Sequence, residues 1–142
     1  MADVLLVYWS GTGNTEIMAE KIKEGLENAG ASVDYRTVDA VEPSEVSGFD
    51  KIVFGCPSMG VETLEEDEFE PFFAEVEGSL SGKKVALFGS YGWGEGEWMD
   101  AWVDRTKEAG ANLFETGLKV NSTPSSDEEE ACIAFGEGFA KF

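Results

Sequence analysis

Three stretches of the chain are apolar almost without interruption: Val4-Leu5-Leu6-Val7-Tyr8-Trp9, Ile52-Val53-Phe54 within Lys51–Gly55, and Val85-Ala86-Leu87-Phe88 within Lys83–Gly89. Runs of this length that do not alternate predict strands covered on both faces. Between them the period changes. Residues Asn14–Ala29 carry Met18, Ile22 and Leu26 at four-residue spacing with Ile17 beside them, one buried stripe of a helix that Gly30 ends as a C-terminal cap. Ser32–Val38 alternates more weakly, which predicts a more exposed strand. After a connection through Pro43, Phe69, Phe72, Phe73 and Val76 mark a helix over Glu65–Val76. Trp98, Met99, Trp102 and Val103 mark another over Glu95–Ala109, with both tryptophans in the core. Asn112–Val120 reads as a strand, and Ser126–Lys141 as a final helix presenting Cys132, Phe135 and Phe139.

Five strands alternating with helices, with no internal repeat and no low-complexity linker, predict an α/β fold in three layers. A parallel sheet lies between helices on both faces, joined by right-handed crossovers. The 142 residues suffice for one domain with a real core, spanning 1–142, and are too few for two ordinary ones. The longest apolar run, Val4–Trp9, is far short of the roughly 20 residues that span a bilayer. No basic segment followed by an apolar stretch opens the chain, which predicts an uncleaved, cytoplasmic protein. Cys56 and Cys132 are then free, buried thiols in a reducing compartment.

Charge narrows the chemistry. Twenty-nine acidic residues against ten basic ones give a formal −19, which repels nucleic acid and anionic membranes and either favours basic protein partners or serves solubility alone. There is no histidine. That removes the commonest general base, the Ser-His and Cys-His nucleophile pairs and the usual zinc ligand, and argues against hydrolysis.

In such a sheet, ligands sit at the carboxyl ends of the strands. Three loops lie there. Ser10-Gly11-Thr12-Gly13-Asn14-Thr15 links the first strand to the first helix, where unpaired backbone N–H groups and the helix dipole favour an anion. It has no lysine, so it is not G-x-x-x-x-G-K-[ST], and Glu16 breaks G-x-G-x-x-G. The loop suits one terminal phosphate held by neutral donors. Cys56-Pro57-Ser58-Met59-Gly60-Val61-Glu62 follows the second buried strand, and Ser90-Tyr91-Gly92-Trp93-Gly94 the third. A flat aromatic ligand can lie between Met59 and Trp93 by stacking and sulfur–aromatic contact. With its tail at the first loop, such a ligand is described by flavin mononucleotide (FMN).

Three motifs carry a resemblance. Val7-Tyr8-Trp9-Ser10-Gly11-Thr12-Gly13-Asn14-Thr15-Glu16, Met59-Gly60-x-Glu62 with Glu68-Phe69-Glu70-Pro71-Phe72, and Phe88-Gly89-Ser90-Tyr91-Gly92-Trp93-Gly94 occur in order. The sequence resembles the short-chain bacterial flavodoxins through essentially its whole length. The resemblance implies a flavodoxin-like, five-stranded sheet of order 2-1-3-4-5 and a monomeric electron carrier, not an enzyme. It implies non-covalent FMN cycling at low potential between neutral semiquinone and anionic hydroquinone, and redox partners such as reductases and low-potential oxidoreductases with basic faces. It assigns phosphate contacts to Ser10–Thr15, the two ring faces to Met59 and Trp93, and the ribityl side to Trp9. Glu62 meets the ring N3–H, Gly60 offers its peptide to N5, and backbone near Gly92 and Gly94 faces the pyrimidine edge. Pro57, Ser58, Ser90 and Tyr91 belong to the same loops.

A small FMN-dependent quinone or flavin reductase is the alternative, but it needs a substrate pocket over a ring that Trp93 covers. A receiver domain requires acidic residues at strand ends, whereas these strands end in Trp9, Gly55 and Gly89; a C-x5-R phosphatase is excluded because Glu62 stands six after Cys56. The acidity does not forbid a phosphate. A carboxylate 10 Å away repels a unit charge by roughly 0.4 kcal/mol in water, while each charge-assisted hydrogen bond returns roughly 1.5–3 kcal/mol. The same field, with no cation in the three loops, lowers the potential of an anionic reduced ring: roughly 2.7 kcal/mol of destabilisation corresponds to about 120 mV.

Overall fold

The three apolar runs lie at the centre of a parallel sheet in the computed structural model, which describes residues 2–11, 13–59, 63–92 and 94–142. The strands are β1 (Val4–Tyr8), β2 (Val33–Thr37), β3 (Lys51–Gly55), β4 (Lys84–Tyr91), β5 (Asn112–Leu113) and β6 (Leu118–Asn121). Their order is β2-β1-β3-β4-β5, with β6 also on β4, so the expected 2-1-3-4-5 arrangement holds. The register places Leu6 beside Tyr35 and Val53, and Val53 beside Ala86. Side chains alternate across this plane. Leu5, Val7, Ile52, Phe54, Val85 and Leu87 enter one core, whereas Val4, Leu6, Tyr8, Val53, Ala86 and Phe88 enter the other.

Helices α1 (Asn14–Asn28), α2 (Pro43–Val46), α3 (Phe69–Val76), α4 (Glu97–Glu108) and α5 (Ser126–Ala140) cover the two faces. α1 buries the stripe Met18, Ile22 and Leu26 and ends as expected at Gly30. There φ is +93°, and the Ala31 N–H donates back to the Leu26 carbonyl. α1 and α5 cross with their backbones in contact. A Cβ on Gly25 would strike the carbonyl of Ile133, and one on Gly136 the carbonyl of Ile22. Ser125 and Glu128 close a capping box that starts α5. α3 and α4 lie on the opposite face with Phe69, Phe72, Phe73, Trp98 and Trp102 turned inward.

Two expected boundaries are corrected. The strand expected over Asn112–Val120 is interrupted: Val85 pairs with Leu113 but Phe88 with Leu118, so two extra edge residues bulge between them. Glu115 (φ +55°) and Gly117 (φ +85°) turn the chain there. Phe114 is thereby swung onto Phe135, Phe139 and Phe142, at ring-centroid distances of 5.2, 5.7 and 5.3 Å. The helix expected from Glu65 begins at Phe69 instead. The Glu65 carboxylate accepts the N–H groups of Asp67, Glu68 and Phe69, each at 2.8 Å, and holds the preceding residues in a turn. Among the described residues no helix is long and apolar enough to cross a membrane.

Candidate binding cleft

Backbone hydrogen bonds lace the carboxyl ends of the strands together beyond the regular sheet. Trp9 N–H donates to Gly55 O (3.0 Å), Cys56 N–H to Phe88 O (3.1 Å), Ser58 N–H to Ser90 O (2.9 Å) and Ser122 N–H to Tyr91 O (2.7 Å). The loops that leave these strands therefore start from fixed positions. They enclose a cleft of about 210 Å3. Its walls come from Trp9, Gly11 and Asn14 around the first loop, Pro57, Ser58 and Met59 of the second, Ser90 and Tyr91 at the end of β4 with Gly92 after them, and Ser122. None of these described lining residues is charged.

The first loop is an anion cradle built of neutral donors. Gly13 (φ +98°) takes the left-handed conformation that turns the chain into α1. Ser10 Oγ accepts the N–H groups of Gly13 (3.1 Å) and Glu16 (3.3 Å), which leaves its own O–H to donate. The N–H groups of Asn14 and Thr15 have no acceptor among the described residues, and they stand at the positive end of a fifteen-residue helix. Thr15 packs inward. Its side chain is buried, 1% exposed, and its hydroxyl pairs with that of Ser90 at 2.8 Å, tying the helix start to β4. Asn14 Oδ1 accepts from the Thr123 hydroxyl at 3.0 Å, which braces the cradle against the chain that leaves β6.

The second loop is closed at its base. Met59 N–H donates to Thr63 O (2.8 Å) and Thr63 N–H to Met59 O (3.0 Å). Met59 is 37% exposed, unusual for a residue of its kind in this chain, and faces the cleft. Behind it, Glu65 is buried, at 5% exposure. Burial alone raises its pKa, but the three backbone N–H bonds outweigh that and hold the carboxyl below its usual range. Glu65 N–H also reaches the Cys56 sulfur at 3.3 Å. Cys56 and Cys132 are free and buried as expected; burial pushes the Cys56 thiol far up and Cys132 up to about 12. β4 runs on to Tyr91, past its expected end at Gly89, and there Tyr91 leans on Trp98 at 5.6 Å, while the Trp98 indole N–H donates to Cys56 O at 3.2 Å.

Of the residues expected at the site, Trp9, Gly11, Asn14, Pro57, Ser58, Met59, Ser90, Tyr91 and Gly92 line the cleft. Ser10, Gly13 and Thr15 shape the cradle without lining it, and Gly94 does not line it. Thr12, Gly60, Glu62 and Trp93 lie outside the described residues. Ser122 was not expected. Its φ of +61° marks a tight turn at the end of β6, and the polar run Asn121-Ser122-Thr123-Pro124 is the signal that a fourth carboxyl-end loop reaches the cleft. Among the described residues no group of acidic or sulfur side chains is placed to hold a metal. Neutral anion donors beside an uncharged wall of aromatic and thioether side chains fit a planar ligand with one phosphate tail.

The family model described as Flavodoxin matches residues 6–136. The chain is 49% identical over 138 residues to the flavodoxin of Megasphaera elsdenii, covering 97% of this chain and 98% of that one. It is 48% identical over 135 residues to the flavodoxin of Clostridium beijerinckii, covering 95% and 97%. Superposed on the solution structure of two-electron reduced Megasphaera elsdenii flavodoxin, it gives a TM-score of 0.88 at 46% identity, over 98% of this chain and 99% of that one.

Proposed function

The chain belongs to the flavodoxin family, and on that premise we propose that it is an FMN-binding electron carrier, not an enzyme. Bound FMN supplies the redox chemistry; the protein supplies position and field. The observation that carries this reading is the cradle itself. Asn14 and Thr15 present N–H groups that have no acceptor among the described residues at the start of α1, next to a cleft walled by Trp9, Met59 and Tyr91.

The backbone of Ser10–Thr15, the N–H of Thr15 included, holds the phosphate together with the Ser10 hydroxyl. Thr12 belongs to the same cradle. Met59 and Trp93 cover the ring, Trp9 borders the ribityl chain, and Gly60, Glu62, Gly92 and Gly94 meet the ring edges. Pro57, Ser58, Ser90 and Tyr91 fix the loops that carry these groups. No cation stands in the three loops, so negative charge on the reduced ring is uncompensated and the lower one-electron potential is depressed.

The whole of residues 1–142 acts as one cytoplasmic, monomeric domain. Its −19 charge steers it to redox proteins with basic faces, such as reductases and low-potential oxidoreductases. Calorimetric titration of apoprotein tests the reading: FMN binds, and riboflavin, which lacks the phosphate, binds at least tenfold more weakly. Potentiometry then resolves two separate one-electron steps. Failure to take up FMN, or a single two-electron wave, would falsify it. Transfer to a basic acceptor slows as salt is added.

A further inference from the structure

Trp9 is held at both of its edges. Its six-membered ring lies over Gly11, where a Cβ would come within 2.9 Å of Cη2 and 3.2 Å of Cζ3. At its other edge the indole N–H donates to Glu68 Oε1 at 3.1 Å, a bond joining residues 59 apart in sequence. Glu68 is itself held, because its backbone N–H donates to the buried Glu65 carboxylate at 2.8 Å. An indole has one donor and a rigid plane, so fixing both edges fixes its rotation.

We propose that Glu68 is a positioning residue for the cleft. Acting through Trp9, it holds the indole down on Gly11 and so keeps the first loop in the form that receives the ligand phosphate. Glu68 does not line the cleft. It works as the far end of a latch that runs from the turn before α3, across the indole, to the cradle. This role rests on the reading that the cleft binds FMN.

Three variants separate the parts. Glu68→Ala removes acceptor and charge, Glu68→Gln keeps an acceptor without the charge, and Trp9→Phe keeps a ring without the donor. In nitrogen-15 spectra of the apoprotein, the Trp9 indole N–H shifts and exchanges faster with solvent in Glu68→Ala, but stays near its original position in Glu68→Gln. In titrations with FMN, Glu68→Ala raises Kd roughly two- to tenfold, the range a net hydrogen bond commands, and Glu68→Gln recovers most of that loss. Adding Glu68→Ala to Trp9→Phe changes Kd no further, because the two residues act as one unit. Uptake of FMN by the unmodified protein checks the functional reading; its absence overturns that reading and this role together. Normal uptake, with an unchanged indole signal in Glu68→Ala or with an undiminished Glu68→Ala effect in the Trp9→Phe background, overturns the latch alone.

Discussion

The two faces of the sheet hold the same cleft by opposite means. On one face α1 and α5 meet through Gly25 and Gly136, close enough that backbone touches backbone. On the other, volume does the work. Phe73 meets Phe54 at 5.2 Å and Trp102 at 5.7 Å, and Phe69 meets Trp102 at 5.5 Å, all close to edge-on. Arg105 lies 4.9 Å over Phe73 while its guanidinium is gripped by Glu70 and Glu77. The difference follows from what each face delivers. α1 presents its own backbone N–H groups to the cleft, so its axis must be fixed. α3 delivers a loop anchored by side chains, where Glu65 supplies the anchor.

That contrast fails first at Phe73. Phe73→Ala leaves a void among rings that cannot collapse into it and costs about 3–5 kcal/mol in denaturant unfolding. A loss under about 1 kcal/mol would show that the aromatic face is not close-packed. Next is Glu65→Gln, which removes charge from a buried acceptor of three N–H groups and costs about 2 kcal/mol at pH 7. Its sign with pH is fixed. The folded carboxyl is depressed below 4.5, so its contribution is present above the unfolded pKa and disappears as pH falls through the folded one. Stability curves of the two proteins therefore converge in acid; parallel curves down to pH 3 would refute the anchor. Smallest is Gly136→Ala. Alanine in place of glycine inside a helix ordinarily gains about 1 kcal/mol. Here the added methyl meets the Ile22 carbonyl, and overpacking turns that gain into a net loss of about 1 kcal/mol, a fall in Tm of roughly 4 °C. A rise in Tm would dissolve the distinction between the faces.

Most of the frame is legible in the sequence because burial on both sides leaves an unbroken apolar record, as in Val4–Tyr8 and Val85–Phe88. The parallel sheet and the convergence of the three loops follow from it, whereas the strand order is what the family resemblance implies. What escapes is set by single residues acting against their type. Glu115 in a left-handed conformation breaks the edge strand, and no residue preference announces a glutamate there. Glu65 reads as one of four acidic neighbours suited to a helix start, yet it alone of that run is buried and bonded to the three N–H groups after it. Thr15 is offered as a phosphate contact by its motif, yet its hydroxyl is buried and pairs with that of Ser90. Hydroxyl chemistry names candidates; only packing decides which of them face outward.

The paired stems at Met59 and Thr63 carry one last implication. Two hydrogen bonds across those stems hold the point at which Met59 meets the cleft. Because both bonds run between backbone groups, that anchorage does not depend on the side chain at either position.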